Sequence, residues 1–120
     1  MMARNTWHIL KDDQSVTVAR RVPARFDVVS EAKLPWGDKL RVAQQVRQDL
    51  WRALQNQTGF SPVVEVRESD GSLSIRAGGQ CDRKIARQLI ENRIADLLND
   101  AGKRARWVRF AQRRGGASRV

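Results

Sequence analysis

The dipeptide Asp70-Gly71 stands between two runs of alternating apolar residues, and it constrains the fold more than any other feature of the chain. Asp-Gly is a strong signal for a two-residue type I′ turn, whose twist matches that of paired strands. The sequence therefore predicts a β-hairpin over residues 62–77. The register that follows joins two apolar pairs and one pair of opposite charge: Val66 with Ile75, Val64 with Ala77, and Glu65 with Arg76.

A second hairpin is predicted over residues 6–19, with Asp12-Asp13 at its turn. Pro23 then interrupts strand pairing, and residues 25–30 read as a further short strand. The hairpin register places its large apolar residues on one face, with Trp7 opposite Val18 and Ile9 opposite Val16.

Two long helices are predicted, over residues 38–58 and 82–101. In both segments apolar residues recur at spacings of three and four, which gives one apolar face. Asp38 and Asp82 are suited to cap the two N-termini, and Gly102 is expected to stop the second helix.

Residues 103–112 form a basic element, and the pattern leaves its conformation open between strand and helix. As a strand, each face mixes arginine with apolar side chains, and the order of elements becomes βαββαβ, as in ferredoxin-like folds. A helix separates the two chemistries better and is favoured. Its arginines share one side and its apolar residues the other: Arg106, Arg109 and Arg113 against Trp107, Phe110 and Ala111.

These elements predict an α+β fold, in which a small antiparallel sheet of two hairpins packs against two long helices and the basic element. A chain of 120 residues fits one domain. We expect that domain to span residues 1–112 and to be followed by a flexible basic tail over residues 113–120.

The positive charge of the chain is concentrated at its C-terminal end. The formal net charge is +10, and residues 103–120 alone contribute +7 because no acid follows Asp100. A localised field of one sign attracts polyanions or an acidic protein surface.

We therefore expect a nucleic-acid-binding protein, for DNA or RNA, that makes mainly phosphate contacts. The rival hypothesis is an adaptor or assembly factor whose basic element docks on an acidic protein partner. The predicted binding residues lie in the basic element and in a second group before the first helix: Lys103, Arg104, Arg106, Trp107, Arg109, Arg113 and Arg114, with Arg20, Arg21 and Arg25.

The first helix carries a polar stripe at steps of four, three and four residues, formed by Arg41, Gln45, Gln48 and Arg52. Arginine and glutamine read base edges in the major groove of duplex DNA. A groove-facing helix is thus one interpretation of the stripe, and the solvated outer face of a packed helix is the other.

The sequence gives no sign of an enzyme, a cofactor or a metal site. The single histidine, His8, and the single cysteine, Cys81, cannot form a structural zinc centre. We also expect no carboxylate inside an apolar stripe, where an altered pKa marks many catalytic acids. A lone thiol, the lack of a signal-peptide pattern and the lack of a long apolar run predict a cytoplasmic protein with no transmembrane segment.

Overall fold

The computed structural model describes residues 7–81 and 87–118, and the side chains of residues 7–81 and 87–112. Five strands and three helices follow one another in an α+β fold. They are β1 (His8–Lys11), β2 (Ser15–Ala19), β3 (Val28–Pro35), α1 (Lys39–Leu54), β4 (Phe60–Ser69), β5 (Ser72–Cys81), α2 (Arg87–Leu98) and α3 (Ala101–Ser118).

The strands form one antiparallel sheet in the order β1-β2-β4-β5-β3. The β4–β5 hairpin has the predicted register, with Val66 opposite Ile75 and Glu65 opposite Arg76. Its turn residues Asp70 and Gly71 have φ angles of 52° and 78°, as a type I′ turn requires.

The β1–β2 hairpin differs from its predicted register by two residues. Ile9 pairs with Val18, not with Val16. The turn lies one residue later than expected, because the Asp12 carboxylate accepts hydrogen bonds from the backbone N–H groups of Gln14 and Ser15, both at 2.9 Å. An Asx-type turn of this kind substitutes for the glycine that would have marked the turn in the sequence.

All three helices cover one face of the sheet. α1 packs on β2 and β4, α2 packs on β3, and α3 lies against α1. The Asp38 cap of α1 is confirmed, since its carboxylate accepts from the backbone N–H of Arg41 at 3.0 Å. This helix ends at Leu54, four residues before the predicted end, because the chain must turn to enter β4.

The predicted second helix is two helices. α2 ends at Leu98, and Asp100 opens α3 by accepting a hydrogen bond from the backbone N–H of Lys103 at 2.9 Å. Gly102 therefore lies inside the first turn of α3 and does not stop a helix. Asp82, the predicted cap of the second helix, lies outside the described residues.

The basic element is helical, and the favoured interpretation is confirmed. The ferredoxin-like order is not confirmed, because residues 103–112 belong to α3 and do not form a strand. Trp107 and Ala111 are four residues apart, so they lie on the same side of the helix. Both point into the core, with exposures of 0% and 3%. The helix also continues to Ser118, so residues 113–118, expected in a flexible tail, have helical backbone.

Candidate nucleic-acid interface

Helices α1 and α3 lie side by side and run in opposite directions. Arg106 Nη1 donates to Gln45 Oε1 at 3.4 Å. One turn further along α3, the ring of Phe110 lies 4.9 Å below the guanidinium of Arg41. As the residue number rises along α3 it falls along α1, and Arg106 and Phe110 of α3 lie beside the predicted polar stripe of α1.

The contact between the two helices is held by a buried carboxylate. Asp49 is 4% exposed, and its Oδ2 accepts from Trp107 Nε1 at 2.7 Å and from Arg106 Nη2 at 2.6 Å. A buried charge of this kind needs both a cation and hydrogen bonds to be tolerated. Asp49 therefore fixes the position and rotation of α3 on α1.

Trp107 does not contribute to the binding surface for which it was predicted. Its side chain is fully buried and its only polar atom donates to Asp49. An indole in this position cannot stack on a base. Its role is to anchor α3 in the core.

The two adjacent helices carry nearly all of the net charge of the chain. Their formal charge is +9, out of +10 for the whole sequence. Their single acid is Asp49, which is buried and already paired with Arg106. Their basic residues number ten: Lys39, Arg41, Arg47 and Arg52 on α1, and Lys103, Arg104, Arg106, Arg109, Arg113 and Arg114 on α3.

Three of the predicted phosphate ligands on α3 make contacts within the protein. Arg104 donates to the carbonyl oxygens of Leu98 at 2.9 Å and Lys33 at 2.5 Å. Arg106 pairs with Asp49. Lys103 Nζ lies 3.8 Å from an oxygen of Asp100. These side chains hold α3 to its neighbours and have less freedom to bind a ligand than the sequence suggested.

Arg109 is exposed, and it contacts no carboxylate among the side chains that the structure describes. The backbone of Arg113 and Arg114 continues the same helix, whereas their side chains lie outside the described residues. Among the described side chains of α3, Arg109 is the exposed arginine.

The predicted stripe of α1 lies next to α3. Arg52 is exposed, and Gln48 is half-buried on the solvent side of the helix. Arg41 covers Phe110, and Gln45 accepts from Arg106. We call the surface formed by this stripe, together with Arg106 and the exposed Arg109 of α3, the α1–α3 face; Arg109 also borders a cleft between α3 and the end of β3.

The arginines of the β2–β3 linker lie elsewhere. Arg20 is 5.8 Å from the ring centre of Trp7, and the same indole contacts Trp51 in the last turn of α1. Arg25 forms an ion pair with Asp27 at 3.1 Å. Because Arg41 and Trp51 are ten residues apart on α1, about 15 Å separates this end from the Phe110 end. These contacts do not place Arg20 or Arg25 against α3, and the prediction that they and Arg21 extend the basic surface stays a prediction.

Arg47 is partly withdrawn from the charged surface. Its guanidinium lies 4.8 Å above the ring of Trp7, and burial lowers its pKa. Desolvation disfavours the charged form of a basic group. Arg47 therefore acts with Trp7 in closing the core beside β1 rather than as a surface ligand.

A cleft of about 500 Å³ opens where the three helices meet. It has both signs of charge, so its chemistry is that of a mixed ion-pair network. One of its acids, Asp100, has its pKa lowered by the backbone N–H of Lys103, which is the reverse of what a general acid near neutral pH needs. The charged residues that line it are Asp49, Asp96, Asp100, Arg52, Arg93, Lys103 and Arg106.

Asp49 is the functional residue that the sequence reasoning missed, and the expectation of no carboxylate inside an apolar stripe is wrong. The sequence does contain a signal for a buried acid at this position. Asp49 follows Val42 by seven residues, two helical turns, and therefore lies on the same face of α1. Val42 is 1% exposed. An acid at this position predicts a cation and a donor on the element packed against it.

Among the described residues, no group of three histidine, cysteine, aspartate or glutamate side chains is placed to hold a metal ion. None of the helices in that part of the chain combines the length and apolar character needed to cross a bilayer. No family model matches the sequence, and neither a curated protein nor a solved structure shows significant similarity to it.

Proposed function

We propose that this protein binds nucleic acid, DNA or RNA, without catalysing a reaction on it, and that the α1–α3 face is the binding surface. The observation that carries the proposal is the charge of the two helices: +9, with their one acid buried and paired. An excess of positive charge on one side of a small domain orients that side toward a polyanion and accelerates its association.

The packing of the helices favours contact with phosphates over insertion into a groove. Two packed helices lie about 8–10 Å apart, and each is about 10 Å across. The α1–α3 pair therefore presents a surface about 20 Å wide, whereas the major groove of B-DNA is about 12 Å wide. With α3 beside it, α1 does not stand free as a recognition helix, and Gln45 already accepts a hydrogen bond from Arg106.

The principal ligands in this proposal are two exposed arginines and the two arginines that follow them in sequence on α3. Arg52 and Arg109 are exposed on α1 and α3, and Arg113 and Arg114 follow Arg109 along the same helix. Guanidinium groups bind phosphate oxygens through two parallel charge-assisted hydrogen bonds. Such contacts carry little sequence information, so we expect binding with modest sequence preference.

The test measures fluorescence anisotropy of a labelled 20-base-pair DNA, its single strand and an RNA hairpin over a salt series. The logarithm of the association constant should fall linearly with the logarithm of salt concentration, by about 0.9 per phosphate for duplex DNA. Reversing two charges, Arg52→Glu with Arg109→Glu, should weaken binding at least tenfold and reduce the slope by about 2.

A matched control reverses two charges on the opposite side of the sheet. Lys33→Glu with Arg67→Glu changes the net charge equally, and both residues lie in strands on the face away from the helices, since their neighbours Leu34 and Val66 point into the core. If both double variants lose the same affinity, the α1–α3 face is not the site. If the wild-type protein binds none of the three nucleic acids at low salt, the proposal fails, and an acidic protein partner becomes the leading hypothesis.

A further inference from the structure

The two edges of the sheet differ in how they are protected. At the β3 edge, the backbone N–H of Val29 donates to Glu91 of α2 at 3.1 Å, and the carbonyl of Lys33 accepts from Arg104 of α3. The strand ends in Pro35, which has no N–H to donate. Helices and a proline therefore close this edge against another strand.

β1 forms the other edge of the sheet, and among the described residues no helix side chain is hydrogen-bonded to its backbone. The backbone N–H of Asp12 donates to the carbonyl oxygen of Ser15 at 3.1 Å, so these two residues form a hydrogen-bonded pair. Hydrogen-bonded and non-hydrogen-bonded pairs alternate along the β1–β2 ladder from this point. The N–H and C=O groups of Ile9 and Lys11 therefore point away from β2, toward solvent. The side chains of Ile9 and Leu10 are 43% and 44% exposed, one on each face of the strand.

We infer that the β1 edge pairs with the β1 edge of a second copy of this chain, antiparallel about a two-fold axis centred on Ile9. In this register, Ile9 faces Ile9 of the second copy and Leu10 faces His8. Lys11 faces Trp7, so the pairing sets no two like charges opposite each other. Five residues of each chain take part, and the apolar side chains that are exposed on both faces of β1 become covered.

Most of the charge lies on the helices and not in the β1 strand. With +9 of the +10 net charge on α1 and α3, the remainder of the chain is nearly neutral. Arg20 and Arg47 lie against Trp7 at this edge, so we expect pairing to become tighter as salt concentration rises. A two-fold axis perpendicular to a continuous sheet leaves the helices of both copies on the same side.

This arrangement has a consequence that rests on the proposed function. Two α1–α3 faces on one side of a ten-stranded sheet form a bivalent surface for a single polyanion. Bivalent attachment raises the apparent affinity without any new contact in either copy. The dimer itself is independent of that function and is measured without nucleic acid.

Sedimentation velocity of the full chain, from about 5 to 500 μM, tests the inference. Wild type should pass reversibly from monomer to dimer as its concentration rises. Ile9→Pro removes an N–H that points away from β2 and leaves the β1–β2 ladder intact, so it should raise the dissociation constant at least about tenfold. Ile9→Lys should do the same by placing like charges opposite each other. Circular dichroism identifies any variant that fails to fold.

Leu89→Lys is the matched control, because Leu89 is a more exposed apolar residue, at 58%, on α2. It should dimerise like wild type. A wild type that stays monomeric throughout the range overturns the inference, as does a dimer that both Ile9 variants retain or that Leu89→Lys abolishes. A dimer that binds no nucleic acid leaves the inference standing and rejects only the proposed function.

Discussion

The indole nitrogen of Trp107 donates to Asp49 Oδ2 at 2.7 Å, within the contact between α1 and α3. Arg106 donates to the same oxygen at 2.6 Å. One carboxylate thus satisfies a buried indole and neutralises one arginine of the basic helix. This arrangement helps to hold α3, and with it the other charges of the helix, against α1.

Asp49→Ala should lower the free energy of unfolding by about 3 kcal/mol. The substitution leaves the indole N–H of Trp107 without an acceptor in the core and removes the ion pair of Arg106. Asp49→Asn retains an acceptor for one donor and should cost less. Urea unfolding followed by tryptophan fluorescence gives both values.

Asp96→Asn is the control for those measurements, because Asp96 is an exposed acid in the same cleft. It should change stability by no more than about 0.5 kcal/mol. If Asp49→Ala and Asp96→Asn lower the free energy of unfolding equally, the burial of Asp49 does not increase its contribution to stability.

We expect the C-terminal helix to contain a part that the core requires, up to Ala111, and a part that it does not. Removal of residues 113–120 leaves Trp107 and Ala111 in place and should shift the melting temperature by less than about 4 °C. The same truncation removes three arginines, so the slope of nucleic-acid affinity against salt should fall by up to about 2.7. Circular dichroism melts and anisotropy titrations measure the two effects.

Truncation after Gly102 provides the contrasting result. It removes Trp107 and Ala111, which are 0% and 3% exposed, and the chain should lose cooperative unfolding. A cooperative transition in this shorter chain would show that α3 is an appendage of the domain and not part of its core.

The features predicted correctly from the sequence are those that depend on neighbouring residues. Asp70-Gly71 sets its own turn, and the turn fixes the register of both strands around it. Asp38 caps α1 because a cap needs only the backbone three residues ahead. In both places the local preference and the final fold agree.

The features predicted wrongly depend on distant partners or on competing local signals. The apolar pattern continues across the break between α2 and α3 and therefore predicts one helix. It also favours Gly102 as the stop, although Asp100 caps α3. The pairing of Asp49 with Trp107 spans 58 positions. No local pattern identifies which residue pairs with a buried acid. The helical spacing of Asp49 from Val42 shows only that Asp49 needs a partner.

Gly71→Ala should destabilise the β4–β5 hairpin through the backbone alone. The φ angle of Gly71 is 78°, and a Cβ added there meets no atom within 4 Å. The cost is therefore that of holding alanine in a left-handed conformation, about 1 kcal/mol. Chemical denaturation measures the change, and Gly71→Asn should recover part of it because asparagine tolerates this conformation.

Asp27 links the β2–β3 linker to the end of the sheet and makes stability sensitive to acid. Its carboxylate accepts from the guanidinium of Arg25 at 3.1 Å and from the backbone N–H of Cys81 at 2.7 Å. These two contacts lower the pKa of Asp27 below its ordinary value of 3.8, and the contact with the guanidinium has the larger effect. The charged form is therefore favoured in the folded state.

A depressed pKa contributes stability that is fully present above the ordinary pKa and is lost as pH falls through the folded value. The stability difference between wild type and Asp27→Asn should thus be constant from about pH 7 to pH 5 and should shrink below about pH 4. Arg25→Gln should bring the carboxyl titration of Asp27 closer to 3.8, as measured by NMR. Lys33→Gln removes a charge elsewhere and should leave that titration unchanged, whereas an equal shift in both variants would assign the effect to net charge and not to the Arg25 contact.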